Sequence, residues 1–242
     1  MKNSILIFIL FLFSQSLFSQ ENKLEEKIKN DIQYNEESFF SFAIRKLPNN
    51  PLLSVAVVTK YNGEHNSDEF ECDLILLLID NQTKKIIYKL IDDTKFGSDA
   101  FMLTSVTLDV ANYSVSDTFR AFGVRSNYEG SSRVNPASDE NIMLFIIRNN
   151  KIEKIMNNYE MKHFIGENDA RCNYENEESE SIFIMQKEKT NGFFNILVKN
   201  KITKTKSIAS KNDEIDCIET IKKLKPNYKT LIYKNGKFSS KK

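Results

Sequence analysis

The chain has little cysteine and even less histidine: Cys72, Cys172 and Cys217, with His65 and His163, are its whole stock of thiol and imidazole groups. No two cysteines form a CxxC pair, which excludes thioredoxin-like redox chemistry and a ribbon-type zinc site. There is no HExxH and no D-x-D-x-D-G calcium loop. The Gly-Ser neighbourhood of most interest, Glu129-Gly130-Ser131-Ser132, lacks the second glycine of a nucleophile elbow. A Ser-His-acid triad would have to recruit His65 or His163. His65 lies in the polar loop NGEHNSDEF, where it reads as solvated, and His163 follows a strand with no motif around it. Acidic clusters occur at Asp68, Glu69 and Glu71, at Asp92 and Asp93, and from Glu167 to Glu180. The last is the best calcium candidate, although a solvated acidic loop is the commoner use of such a run. The sequence therefore assigns no catalytic residue, no metal ligand and no cofactor.

An excess of one charge is also missing. Lys plus Arg number 34 against 33 Asp plus Glu, and Lys2 falls in the segment expected to be removed. The mature chain is then neutral overall, which argues against general nucleic-acid binding and against simple attraction to an anionic membrane. Long apolar runs are confined to one place. Lys2 precedes Ile5 to Phe13, an unbroken apolar stretch, and a polar, small-residue segment follows through Ser19. That core is shorter than the roughly 20 residues a spanning helix needs, and it fits a cleavable secretory signal. Cleavage is expected between Ser19 and Gln20. An uncleaved anchor is the alternative, and the lack of a nearby cysteine rules out lipid attachment at the boundary. No later segment is apolar enough to span a membrane, so the expected location is the periplasm or the exterior.

In an oxidising compartment three cysteines allow one disulfide and three pairings. Cys172 with Cys217 is preferred, because Cys72 opens a strand that reads as fully buried; three buried free thiols are the alternative.

The expected organisation is a signal peptide at 1–19, a loose charged segment at 20–35 and a single mostly β domain at 36–242. Leu24, Ile28 and Ile32 allow at most a fraying helix in the loose segment. A firmer helix is predicted over 36–47. Asn35 can cap it, Glu36 and Glu37 suit its start, Arg45 and Lys46 suit its end, and Phe40, Ala43, Ile44 and Leu47 form one stripe. A strand with Phe40, Phe42 and Ile44 on one face is the competitor. Strands are predicted near 52–60, 72–80, 85–91, 102–110, 119–127, 141–148, 152–156, 181–188, 193–199, 204–209 and 229–234. Asn149-Asn150, Asn191-Gly192 and Asn235-Gly236 supply hairpin turns that tolerate positive φ. A second short helix is predicted at 213–224, acidic early, Lys-rich late and stopped by Pro226.

LILLLI and IMLFII are apolar at consecutive positions, so both faces of those strands must be covered. The fold class is therefore all-β and mainly antiparallel, built of stacked sheets as a sandwich or a propeller-like array.

Arginine is scarce, six against twenty-eight lysines, yet Arg120, Arg125 and Arg133 fall within FRAFGVRSNYEGSSRVNP. A guanidinium fork suits carboxylate, phosphate or sulfate better than a lysine point charge does. Arg125, Ser131, Ser132, Arg133 and Asn135 are accordingly the candidate ligand-binding residues, and Arg120 is expected to hold a buried ion pair. Carboxylates such as Asp117, Glu129 and Asp139 could instead tie these arginines into the fold. Function is expected to be non-catalytic binding of an envelope protein, a secreted protein or a glycan. A hydrolase working through a carboxylate pair is the alternative.

Overall fold

The protein's structure, a computed structural model, describes residues 22–65, 69–169, 171–210 and 217–241. The segment expected to be a signal peptide, with its expected Ser19–Gln20 junction, lies outside these residues.

The first sheet has four strands in the order of the chain: β1 (Phe39–Leu47), β2 (Asn50–Tyr61), β3 (Phe70–Asp80) and β4 (Lys85–Ser98). The second contains β5 (Phe101–Ser114), β6 (Arg120–Gly130), β7 (Ala137–Arg148), β8 (Lys151–Asn168), β9 (Tyr174–Thr190) and β10 (Phe193–Ala209). It is completed by β11 (Cys217–Lys223), β12 (Asn227–Lys234) and β13 (Lys237–Ser240). Its strands run β13-β12-β10-β9-β8-β7-β6-β5, with β11 also paired to β10, and every pairing in both sheets is antiparallel.

The doubly apolar strands explain the layering. In β3, Leu74, Leu76 and Leu78 point into a core shared with Phe122, Val124, Met143 and Phe145 of the second sheet. Ile75, Leu77 and Ile79 point the other way, into a cluster with Ile28, Phe39 and Ile44. In β7, Met143 and Phe145 face the first sheet, while Ile142, Leu144 and Ile146 pack with Phe193, Ile196, Val198, Leu231 and Phe238. The far strands of the second sheet thus fold over its own central strands. Consecutive apolar residues are what such a stack requires, since period-two side chains feed two separate cores. Gly123 in β6 marks a close approach: a Cβ there would sit 2.7 Å from Ile142 Cδ1.

The two sheets are also joined by charge. Lys154 of β8 donates to Asp92 Oδ1 and Asp93 Oδ1, each at 2.6 Å, and to Thr94 Oγ1 at 3.1 Å, all on β4. Hairpin chemistry follows the sequence: Asn149, Asn150, Asn191, Gly192, Asn235 and Gly236 all have positive φ.

Two helix expectations are corrected. Residues 39–47 are strand β1, paired to β2 from Phe39↔Lys60 to Leu47↔Asn50. Asn35 does cap, its Oδ1 accepting from the Ser38 N–H at 2.9 Å, but only one turn follows. The reason is burial on two sides: Phe40, Ala43 and Leu47 serve one core, and Phe39, Phe42 and Ile44 the other. A helix would bury one stripe and strand the rest. The layer on the outer face of the first sheet is instead a helix at 22–31, α1, with Ile28 fully buried and Leu24 packed against the same cluster. That segment, expected to be loose, is held by its apolar stripe.

The second correction concerns 213–224. Residues 211–216 lie outside those described, and Cys217–Lys223 is strand β11 in register with β10 from Ala209↔Cys217 to Thr203↔Lys223. All seven residues of β11 are exposed, so there is no apolar layer for a helical stripe to enter; pairing with β10 satisfies the backbone instead. Predicted strands 193–199 and 204–209 are one continuous strand, β10.

Candidate functional site

The structure takes Arg125 out of the candidate set and leaves Arg133 on an exposed loop. Arg125 is the structural one. Its Nε donates to Asp109 Oδ2 at 2.7 Å, its Nη1 pairs with Glu140, and its Nη2 contacts the Tyr113 hydroxyl at 3.1 Å. The Tyr113 hydroxyl in turn donates to Asp109 at 2.7 Å. Burial works against the Asp109 carboxylate, but the Ala111 N–H, the Tyr113 hydroxyl and the guanidinium outweigh it and hold its pKa below the usual value. Burial pushes the Tyr113 phenol up to about 12, and the bond to Asp109 adds to that. Every arm of the Arg125 fork is spent inside the protein. Arg120, expected to hold a buried ion pair, donates to the Val110 carbonyl at 2.9 Å. Arg120 and Arg125 stand five residues apart on β6, an odd spacing that puts their side chains on opposite faces.

Ser131, Ser132, Arg133 and Asn135 lie together in the exposed β6–β7 loop. The loop is not free. The Ser132 hydroxyl accepts from the Asn135 N–H at 3.0 Å, the Gly166 N–H donates to Pro136, and Asn168 donates to the Val134 and Arg133 carbonyls. The structure thus brings four of the five predicted residues together and places Arg125 elsewhere.

Beside this loop an open groove of about 650 Å³ crosses β8, β9, β10 and β11. Its floor follows from register. Ile165, Glu177, Lys204 and Lys222 are successive cross-strand partners, and so are Glu167, Glu175, Lys206 and Thr220. Partners directly opposite share a face, which makes two parallel rows. Lys204 binds Glu177 at 2.5 Å, Lys206 binds Glu175, and Ile165 stays 47% exposed at the end of its row. Asn135 lines the groove from the loop. Within the Glu167–Glu180 run, expected to be a loop, Tyr174 onward is strand β9, and Glu175, Glu177 and Glu180 pair with Lys206, Lys204 and Lys201.

The far end of the groove is anchored covalently. Cys172 and Cys217 form a disulfide with Cα atoms 5.1 Å apart, as preferred from the sequence, and Tyr174 donates to Glu219. Cys72 is free and fully buried, and burial raises its thiol to about 12. Such a thiol is packing, not a nucleophile.

The next row along the same strands holds a group that the sequence did not assemble. Asp139 and His163 are direct partners across β7 and β8, and Asp139 Oδ1 accepts from His163 Nδ1 at 2.6 Å. Glu160 Oε2 lies 3.9 Å from the same nitrogen. The donor atoms of all three fall within 4.8 Å of one another, the only such His/Cys/acid group among the described residues. The sole local signal is Glu160-Met161-Lys162-His163, whose spacing carries meaning on a helix and none on a regular strand. A register shift in β8 at this point is what brings Glu160 round. His65, the other histidine, stacks on Tyr61 with centroids 3.7 Å apart.

These features define an all-β protein with two antiparallel sheets and an open, polar-floored groove at one end. No helix among the described residues is long and apolar enough to cross a membrane. No family model, curated protein or solved structure matches the chain.

Proposed function

We propose that this is an exported, non-catalytic binding protein that holds an extended segment of an envelope or secreted protein in the groove crossing β8 to β11. The observation that carries this reading is the pair of side-chain rows on the groove floor. They present paired charges beside an exposed apolar residue, Ile165, on strands fixed by a disulfide. An apolar contact rimmed by polar groups is the ordinary composition of a protein-binding surface. The floor has no aromatic ring to stack on a sugar, which favours a polypeptide over a glycan. β11 pairs only with β10 among the described residues, so its outer edge offers main-chain groups to an added strand.

Export rests on the apolar N-terminal segment and is supported by the disulfide, which an oxidising compartment would maintain. The exported protein is expected to begin at Gln20; an N-terminal sequence starting at Met1 would contradict that. The binding reading is tested by Ile165→Lys, which places charge in the groove at an exposed position. Capture of the partner should fall strongly with thermal stability unchanged. Unchanged capture by the stable variant would reject the site.

A further inference from the structure

We propose that Asp139, Glu160 and His163 form a binding site for a divalent transition-metal ion, with zinc as the probe. This inference is independent of the partner-binding reading.

The first argument is geometric. One imidazole nitrogen and two carboxylate oxygens converge, with separations of 2.6 Å and 3.9 Å from His163 Nδ1 and none above 4.8 Å. An ion bonded at about 2.0–2.2 Å needs donors roughly 3–4 Å apart, so binding releases the Nδ1 proton to solvent and opens the 2.6 Å Asp139 contact as the ion takes its place. All three residues stand on β7 and β8, paired strands, so register rather than a loop fixes their positions.

The second argument is charge balance. Several carboxylates of this sheet are matched by cations: Asp109 and Glu140 by Arg125, Glu175 by Lys206, Glu177 by Lys204. Among the described residues neither Asp139 nor Glu160 has a Lys or Arg within ion-pair distance; both turn to His163. Two carboxylates facing an imidazole leave net negative charge at one point, which a dication would neutralise.

The donor chemistry selects the ion. Calcium and magnesium take all-oxygen shells, whereas an imidazole nitrogen with carboxylates suits zinc and its transition-metal neighbours. The His163 and Glu160 side chains are 36% and 55% exposed, so remaining coordination positions are open to solvent or to an added ligand.

The experiment is calorimetric titration of the chelator-treated full-length exported protein with zinc, and with calcium in parallel. One zinc per chain is expected, with no calcium uptake at this site. His163→Ala and Glu160→Gln should each weaken zinc binding at least tenfold, by comparison with the ~10–100-fold effect of altering groups that merely support a ligand. Glu160 is the most exposed of the three, so its variant keeps the test valid if His163→Ala fails to fold. His65→Ala should bind as the parent does. No saturable zinc uptake, unchanged affinity in Glu160→Gln, or loss of binding in His65→Ala would each overturn the assignment.

Discussion

Replacing Lys154 with methionine should be among the most damaging single changes in the protein. Lys154 is the charged link between the sheets, and its side chain is only 11% exposed while that of Asp92 is 4% exposed. Methionine keeps the apolar stem and removes the ammonium. Asp92 is then left buried with the Thr94 N–H at 3.0 Å as its remaining bond in this cluster. Breaking one side of a buried pair costs about 3–5 kcal/mol, mostly from the stranded charge. At roughly 2–4 °C per kcal/mol for a chain of this length, melting should fall by about 6–20 °C. Adding Asp92→Asn removes the stranded charge and should restore most of the loss. Asp93, 86% exposed, gains little from its contact, and Asp93→Asn should cost less than about 1 kcal/mol. Burial opposes the Lys154 ammonium, but the bonds to Asp92 and Asp93 more than offset it and raise its pKa. Its contribution is therefore complete at neutral pH and declines only as pH rises through that raised value. Urea unfolding of the four proteins, followed by circular dichroism at pH 7, makes the measurement. A loss below about 1 kcal/mol for Lys154→Met, or no recovery in the double variant, would refute the reasoning.

Four further outcomes follow from the same structure. Arg125→Leu should cost about 3–5 kcal/mol by stranding Asp109 and Glu140, whereas Arg133→Ala on the exposed loop should stay within about 0.5 kcal/mol; equal losses in urea would contradict the division. Because the Asp109 pKa is lowered in the folded state, its stabilisation is present above the unfolded carboxylate value and lost as pH falls below it, so acid unfolding should shift to higher pH in Arg125→Leu. The Cys72 thiol, raised to about 12, should resist a thiol reagent at pH 8 until the protein unfolds, and prompt labelling of the native protein would show the burial wrong. Reducing the Cys172–Cys217 bridge, which spans 45 residues, removes at most about 4 kcal/mol of loop constraint, and amide exchange should quicken in β11 before β3 or β7.

What could be read from the sequence was whatever local chemistry decides. Asn-Asn and Asn-Gly turns marked three hairpins because few residues accept positive φ, and the consecutive apolar residues of β3 and β7 implied cover on both faces. Both misread helices carried sound local signals. Asn35 caps a turn, and 213–224 has helical charge polarity, but non-local pairing with β2 and β10 overrode them. The candidate site was half legible. The β6–β7 loop is exposed and borders the groove, whereas Arg125 is consumed by Asp109 and Glu140, partners 16 and 15 residues away. The rows on the groove floor and the Asp139–Glu160–His163 group depend on register between distant strands, which composition and spacing do not encode.

The most direct test of the binding reading is site-specific photo-cross-linking in envelope extract. A photoreactive side chain replaces Ile165 in the groove or, as a control, the exposed Ile91 on β4. A single saturable protein adduct from position 165, absent from position 91 and competed by unlabelled wild-type protein, is the predicted result. No adduct at 165, or the same adducts from both positions, would contradict the claim that this groove is where the protein binds.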